Sequence, residues 1–78
     1  MEDFEIQLRS VQQVLQFVSL ATSRDFPVYV TGKHHRVSGK SFMEMFCLDF
    51  SFPLTARLEC TAEEFEEFRK AAHRFAVK

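Results

Sequence analysis

The sequence predicts an α+β fold, an open-faced β-sandwich in which a four-stranded antiparallel sheet carries three helices on one face. Two observations predict it. Segments near both ends of the chain alternate apolar and polar residues with a period of two, which is typical of strands with one face in water. Other segments repeat their apolar residues at helical spacing, and the order of elements is β-α-β-β-α-β-α.

Length and composition set the limits of this fold. The chain has 78 residues, and we expect all of range 1–78 to form one domain. Apolar residues make up 46% of it, which predicts a globular chain rather than a disordered one. The net charge of −1 gives no general attraction to nucleic acid or to a membrane surface. The acidic N-terminus lacks the apolar region of a signal peptide, so we expect a cytoplasmic location.

The first strand and first helix are predicted from residues 4–23. Residues 4–8 alternate between apolar and polar, which indicates a half-buried strand. Ser10 is placed to cap a helix that runs through Ser23. Leu15 lies beside the core stripe of this helix, among small and polar side chains. The predicted core stripe consists of Val14, Phe17, Val18 and Ala21.

The middle of the chain predicts two strands and a short helix. The segment FPVYVT, Phe26–Thr31, is rich in β-branched and aromatic residues and indicates the second strand. A turn at residues 32–33 leads to a short third strand over His35–Ser38. Ser41 is then placed as the N-cap of a short helix over Phe42–Phe46.

The C-terminal third gives the clearest pattern. LTARLEC, Leu54–Cys60, alternates between apolar and polar residues and predicts the fourth strand. Thr61 and Glu64 form a capping box, so we expect a helix over residues 62–76. Its predicted buried stripe consists of Phe65, Phe68, Ala72 and Phe75.

Polar clusters in the sequence indicate no catalytic or metal site. The adjacent His34 and His35 point in opposite directions in a strand or turn, and no cysteine or carboxylate lies at ligand spacing. We therefore expect no metal and no cofactor. The basic run of residues 33–36 lacks the interleaved aromatics of a nucleic-acid platform, so we interpret it as a charged hairpin that protects an edge strand. Cys47 and Cys60 are expected to be buried thiols.

The segment GKSFMEMFCLDFSF, residues 39–52, holds more large apolar side chains than a short helix can bury. It contains four phenylalanines and two methionines. Exposed Phe and Met often mark an interface, so the surplus predicts a docking surface for a protein. The alternative is that a compact layer of helices buries most of them.

The run VSGKSFMEMFCLD, Val37–Asp49, resembles the regulatory-serine segment of HPr, the histidine phosphocarrier protein of the bacterial sugar phosphotransferase system. QFVSLA, Gln16–Ala21, resembles the core of that family's first helix. The resemblance implies an HPr-like fold and a cytoplasmic protein of the phosphotransferase system. It also implies that a serine kinase acts on Ser41, where Lys40 and the helix amides would meet the phosphate.

The chain departs from this family at the carrier loop. HPr carriers have a Gly-Leu-His-x-Arg-Pro-type loop before the first helix, whereas this chain has LRSVQQ. Ser10 takes the position of the phosphorylated histidine, Gln12 that of the arginine and Gln13 that of the proline. A serine phosphoester is a poor phosphoryl donor compared with a phosphoramidate, so this departure from the family predicts a non-catalytic protein rather than an enzyme or a carrier.

The resemblance also implies a partner surface on the first two helices. The family docks its partners through apolar residues ringed by basic ones, and the matching apolar positions here are Leu15, Phe42, Met43 and Phe46. The matching basic positions on the first helix are uncharged. The sequence thus predicts an HPr-like protein-binding or regulatory module modulated at Ser41. A phosphocarrier that uses another residue and a structural or self-associating domain remain alternatives.

Overall fold

The computed structural model describes residues 2–77 and gives eight elements. The strands are β1 (Glu2–Ile6), β2 (Val28–Thr31), β3 (Arg36–Ser38) and β4 (Leu54–Leu58). The helices are α1 (Val11–Thr22), α2 (Phe42–Met45), α3 (Ala62–Ala71) and a 3-10 helix over His73–Phe75. The order β-α-β-β-α-β-α is the predicted one, and the predicted fold class is confirmed.

The four strands form one antiparallel sheet in the order β1-β4-β2-β3. Ala56 of β4 lies opposite Phe4 of β1 and Val30 of β2, and Val30 lies opposite Val37 of β3. Paired residues share a face of a sheet, so this apolar row points to one side. Arg57, the next residue of β4, points to the other side and is exposed. The sheet therefore has one buried face and one polar face, as the alternation predicted.

The core lies between the apolar face of the sheet and the helices. Phe68 of α3 is fully buried and makes T-shaped ring contacts with Phe4, Phe17 and Phe26, at centroid distances of 6.4, 6.1 and 6.1 Å. These contacts join β1, α1 and the segment before β2 to one aromatic centre. The buried apolar residues are Ile6, Leu8, Val14, Phe17, Ala21, Val28, Val30, Val37, Met45, Leu48, Leu54, Ala56, Leu58, Phe68, Ala72 and Phe75.

All three helix N-caps lie where the sequence predicted them. The hydroxyl groups of Ser10, Ser41 and Thr61 each accept a hydrogen bond from a backbone amide in the first turn of their helix. The capping box of α3 is complete, with the Glu64 carboxylate accepting from the Thr61 amide at 3.0 Å. These local bonds satisfy amides that have no partner within the helix, so the start of each helix is fixed by a few residues.

The end of the last helix differs from the prediction of one helix over 62–76. α3 ends at Ala71, and the chain tightens into the 3-10 helix. Long-range pairing explains the change. The Gln7 amide donates to the Phe75 carbonyl at 2.7 Å, and the Val77 amide donates to the Glu5 carbonyl at 3.1 Å. The C-terminal segment therefore covers the outer edge of β1, which a continued α-helix could not do.

Several smaller predictions also need correction. The first strand covers Glu2–Ile6 rather than residues 4–8, and the fourth ends at Leu58 rather than at residue 60. β2 begins at Val28 rather than Phe26, because Phe26 turns its ring to Phe68 and Pro27 precedes the ladder. The two cysteines are not buried as expected: Cys47 is exposed and Cys60 is half-buried. Cys47 follows α2 on its outer side, where its thiol lies 3.8 Å from the Met43 carbonyl oxygen.

Gly39 lets α2 start directly against the core. A Cβ at this position would lie 2.8 Å from Cγ1 of Val28 and 3.3 Å from Cε2 of Phe17. The Gly39 amide also donates to the Val28 carbonyl at 2.7 Å. Close backbone approach therefore requires glycine here. It places Ser41 and the rest of α2 at the edge of the helical layer, beside α1.

Candidate functional site

The junction before α1 is built as a helix cap. Ser10 Oγ accepts a hydrogen bond from the Gln13 amide at 3.1 Å, and Gln13 Oε1 accepts one from the Arg9 amide at 2.6 Å. Two backbone donors at the start of α1 are thereby satisfied by side chains. The Ser10 hydroxyl is thus engaged as an acceptor at an exposed position.

Ser41 lies in a second network of the same kind, at the start of α2. Its hydroxyl accepts from the Glu44 amide at 3.3 Å, and its own amide donates to the Ser38 carbonyl at 3.2 Å. Glu44 Oε1 accepts from the Ser38 amide at 3.2 Å. A carboxylate therefore stands beside the residue at which a phosphate was predicted, and Ser41 itself is half-buried.

α2 presents apolar side chains to solvent. Met43 is 84% exposed, Phe46 is 42% exposed and Phe42 is 39% exposed, while Met45 faces the core. The Phe42 and Phe46 rings lie 4.6 Å apart, and Phe46 makes a T-shaped contact with the half-buried Phe50 at 6.2 Å. The rings support one another while leaving one side of each in water, so α2 forms an aromatic surface.

Leu15 is exposed on the neighbouring helix. It is 41% exposed and lies on the outward side of α1, next to the buried stripe of Val14 and Phe17. It also lines a groove between α1 and the C-terminal 3-10 helix. All four side chains of the predicted docking set are therefore exposed. That they form one continuous surface and bind a partner remains a prediction.

Among the described residues, three exposed large apolar side chains lie outside the predicted docking set: Val11, Phe52 and Val77. Val11 is 59% exposed at the first turn of α1 and lines a shallow pocket with Ser10 and Phe50. At about 100° per residue, Val11 lies within about 40° of Leu15 on the helical wheel. The helical periodicity could therefore have predicted that both side chains lie on the same exposed face. Phe52 is also exposed, and Lys33 Nζ lies 4.5 Å from its ring centroid.

The basic turn between β2 and β3 is solvent-exposed. Lys33, His34, His35 and Arg36 are all exposed, and the Arg36 guanidinium lies 5.1 Å from the centroid of the Tyr29 ring. The turn thus carries charge at the end of an edge hairpin, and its protective role stays a prediction.

The Lys40 ammonium group has a partner beside α1. It donates to the Arg24 carbonyl at 2.6 Å, which ties the start of α2 to the end of α1. This bond engages one of its three N–H donors, and contact between Lys40 and a phosphate on Ser41 stays a prediction.

The Asp49 carboxylate follows α2 and carries a lowered pKa. The main cause is the hydrogen bond from the Ser51 backbone amide, which lies 2.9 Å from Oδ1; the Ser51 side chain adds to it, and the charge of Lys33 contributes less. Hydrogen bonds and a nearby cation both favour the ionised form of the carboxyl group. The loop after α2 thus holds a fixed negative charge close to the basic turn.

A solved structure resembles this chain, whereas comparisons of its sequence with known proteins find no match. No protein-family model matches the chain, and no curated protein matches it. The crystal structure of HPr-C-His from Thermoanaerobacter tengcongensis superposes on it with a TM-score of 0.77 and 22% sequence identity, covering 95% of this chain and 89% of that chain. The chain has an HPr-like fold. An identity of 22% shows the fold alone, so the activity of the chain has to be argued from its own residues.

In this HPr-like fold, no histidine lies at the junction before α1. His34 and His35 are in the exposed turn between β2 and β3, and His73 opens the exposed 3-10 helix. None of the three lines the shallow pocket beside Ser10, where Arg9 is the one charged side chain within the part of the chain that the structure describes. The assignment of Ser10 to the histidine position of HPr remains a prediction from the resemblance.

Residues 2–77 show neither a metal-binding cluster nor a membrane-spanning helix. In that range, no group of three or more His, Cys, Asp or Glu side chains is arranged to hold a metal ion. Within the same residues, none of the helices has the length and apolar character that crossing a membrane requires.

Proposed function

We propose that this protein is a non-catalytic HPr-like module of the bacterial sugar phosphotransferase system that docks on a protein partner through α1 and α2. The observation that carries the proposal is the exposed aromatic surface of α2, formed by Phe42, Met43 and Phe46. Water contact with these side chains is unfavourable, and a partner that covers them gains the corresponding hydrophobic free energy.

A protein is a better match to this surface than a small molecule. Small ligands bind in concave sites that bury most of their surface, whereas Met43 projects from a helix with most of its side chain in water. Projecting Met and Phe side chains are typical anchors for pockets on another protein. The partner we propose therefore has an apolar docking surface that accepts the α2 side chains.

The absence of a suitable imidazole at α1 supports a binding role over a carrier role. A phosphocarrier needs a group that accepts a phosphoryl group and releases it readily. The Ser10 hydroxyl would form a stable ester, and it already caps α1 by accepting a hydrogen bond from the Gln13 backbone amide. Activation of an ordinary serine hydroxyl also needs an adjacent base, and neither the carboxamide of Gln13 nor the guanidinium of Arg9 can act as one.

We also propose that a serine kinase regulates docking by phosphorylating Ser41. The modification would add nearly two negative charges at the edge of the aromatic surface. Ser41 directly precedes Phe42, so the phosphate would lie beside groups that an apolar partner must dehydrate. The Glu44 carboxylate lies at the same helix start, so a phosphate on Ser41 would place a second negative group beside it and repel any acidic group of a partner.

Incubation with phosphoenolpyruvate and the first enzyme of the phosphotransferase system tests this function. We expect the chain to bind that enzyme in a calorimetric titration and to gain no acid-labile phosphoryl group by mass spectrometry. An acid-labile, base-stable adduct on the chain would establish a carrier instead. If the chain neither binds this enzyme nor becomes phosphorylated, the proposed link with the phosphotransferase system is wrong.

A further inference from the structure

An open groove of about 510 Å³ lies between α1 and the C-terminal 3-10 helix. Its walls combine apolar side chains, Leu15, Leu20 and Phe75, with the polar side chains of Gln16 and Ser19. This volume is in the range of sites that take a small ligand or a few residues of a peptide. The groove adjoins the proposed docking surface because Leu15 belongs to both.

Among the described residues, Arg74 is the only charged side chain that lines the groove. Its Nη1 lies 3.5 Å from Gln16 Oε1, at the long limit of a hydrogen bond, and its guanidinium carbon lies 5.9 Å from the Phe75 ring centroid. Among residues 2–77, the ion pairs join Arg57 to Asp3 and Arg69 to Glu66, and neither includes Arg74. The guanidinium therefore has donors available at the groove.

We infer that this groove binds an acidic side chain of the protein partner, flanked by an aliphatic residue, with Arg74 pairing to the carboxylate. A guanidinium matches a carboxylate through two parallel hydrogen bonds, and no acidic side chain among the described residues lines the groove to compete for it. Leu15, Leu20 and Phe75 supply apolar contact for the flanking residue. This inference rests on the proposed function, because it adds a specific acidic contact to the same docking event.

A synthetic peptide tests the groove without the partner. The probe is the acetylated and amidated pentapeptide ALELA, and its matched control is ALQLA, which keeps the shape and removes the charge. We expect ALELA to shift the backbone amide signals of Gln16, Leu20 and Arg74 in a saturable way. Because a charge-assisted hydrogen-bond pair is lost in each case, we expect about tenfold weaker binding for ALQLA and for ALELA with Arg74→Gln.

The controls separate the groove from the rest of the surface. Arg69→Gln removes one exposed cation of α3 and should leave ALELA binding unchanged. Equal affinity for ALELA and ALQLA, or an affinity that Arg74→Gln leaves unchanged, would overturn the inference. Such a result would leave α2 docking intact, since that is measured by partner binding and its sensitivity to Met43→Asp.

Discussion

The carboxylate of Glu44 accepts a hydrogen bond from the backbone amide of Ser38, at 3.2 Å. Ser38 belongs to β3, the edge strand of the sheet, and its amide points away from β2 because amide directions alternate along a strand and Gly39 bonds to β2. The Ser38 carbonyl accepts from Ser41. The start of α2 therefore covers the outward backbone groups of Ser38 and limits pairing of this edge with another chain.

Replacing Glu44 should expose the Ser38 amide if the new side chain has no hydrogen-bond acceptor, whether or not it is charged. We expect Glu44→Ala to accelerate hydrogen exchange of the Ser38 amide and to cost about 0.5–1.5 kcal/mol of unfolding free energy, the typical contribution of one hydrogen bond. Glu44→Gln keeps an acceptor and should change both quantities less. Hydrogen exchange by NMR measures this, and equal rates at Ser38 in all three proteins would contradict the account of the edge.

Removing the ring of Phe68 should threaten the whole fold. This side chain is fully buried and contacts three other rings, so Phe68→Ala should lower the unfolding free energy by roughly 3–5 kcal/mol. Phe52→Ala is the matched control, because Phe52 is exposed and should cost well under half as much. Urea denaturation measures both. A loss below about 1 kcal/mol for Phe68→Ala would show that the aromatic centre is not the core.

The lowered pKa of Asp49 predicts a direction for the pH dependence. The folded chain favours the ionised carboxylate, so the associated stability is present above the ordinary pKa of 3.8 and is lost as the pH falls through the lower folded pKa. We expect an NMR titration to place the Asp49 midpoint below 3.8 and Ser51→Ala to raise it, because the Ser51 side chain is one of the causes. A wild-type midpoint above 3.8 would contradict the loop geometry.

Charge at position 41 should weaken docking on an apolar partner. Ser41→Asp mimics a phosphate in part, since it adds one charge with different geometry. We expect it to lower the affinity for the first enzyme of the phosphotransferase system, and Ser41→Asn, which also caps helices, to have a smaller effect. Calorimetric titration compares the three proteins. Coinciding titrations would mean that Ser41 serves only as the cap of α2.

Local chemistry made most of the fold predictable. The caps at Ser10, Ser41 and Thr61 and the alternation in β4 depend on neighbouring residues, so the sequence indicated them at the right positions. The end of α3 was not predictable in this way, because it depends on pairing between residues 75–77 and β1, more than sixty positions away. Contacts that far apart leave no periodic signal in either segment.

The candidate site was predictable where it depends on local sequence and not where it depends on packing between distant segments. The surplus of Phe and Met in residues 39–52 indicated exposed side chains on α2, and the structure exposes Phe42, Met43 and Phe46. The groove at Arg74 was not foreseen, since it arises from packing of the 3-10 helix against α1. The hydrogen bond that holds Lys40 to the Arg24 carbonyl likewise joins two helices and has no counterpart in a sequence pattern.

The most direct measurement is a calorimetric titration of the first enzyme of the phosphotransferase system with wild type, Met43→Asp and Val77→Asp. Met43 is 84% exposed on α2, so Met43→Asp changes the docking surface and leaves the core intact. Val77 is also exposed but lies at the β1 edge, so Val77→Asp adds the same charge at the opposite edge of the sheet. We predict at least about tenfold weaker binding for Met43→Asp, as expected for an interface anchor, and wild-type affinity for Val77→Asp. Equal affinity for Met43→Asp and wild type would contradict docking through α2.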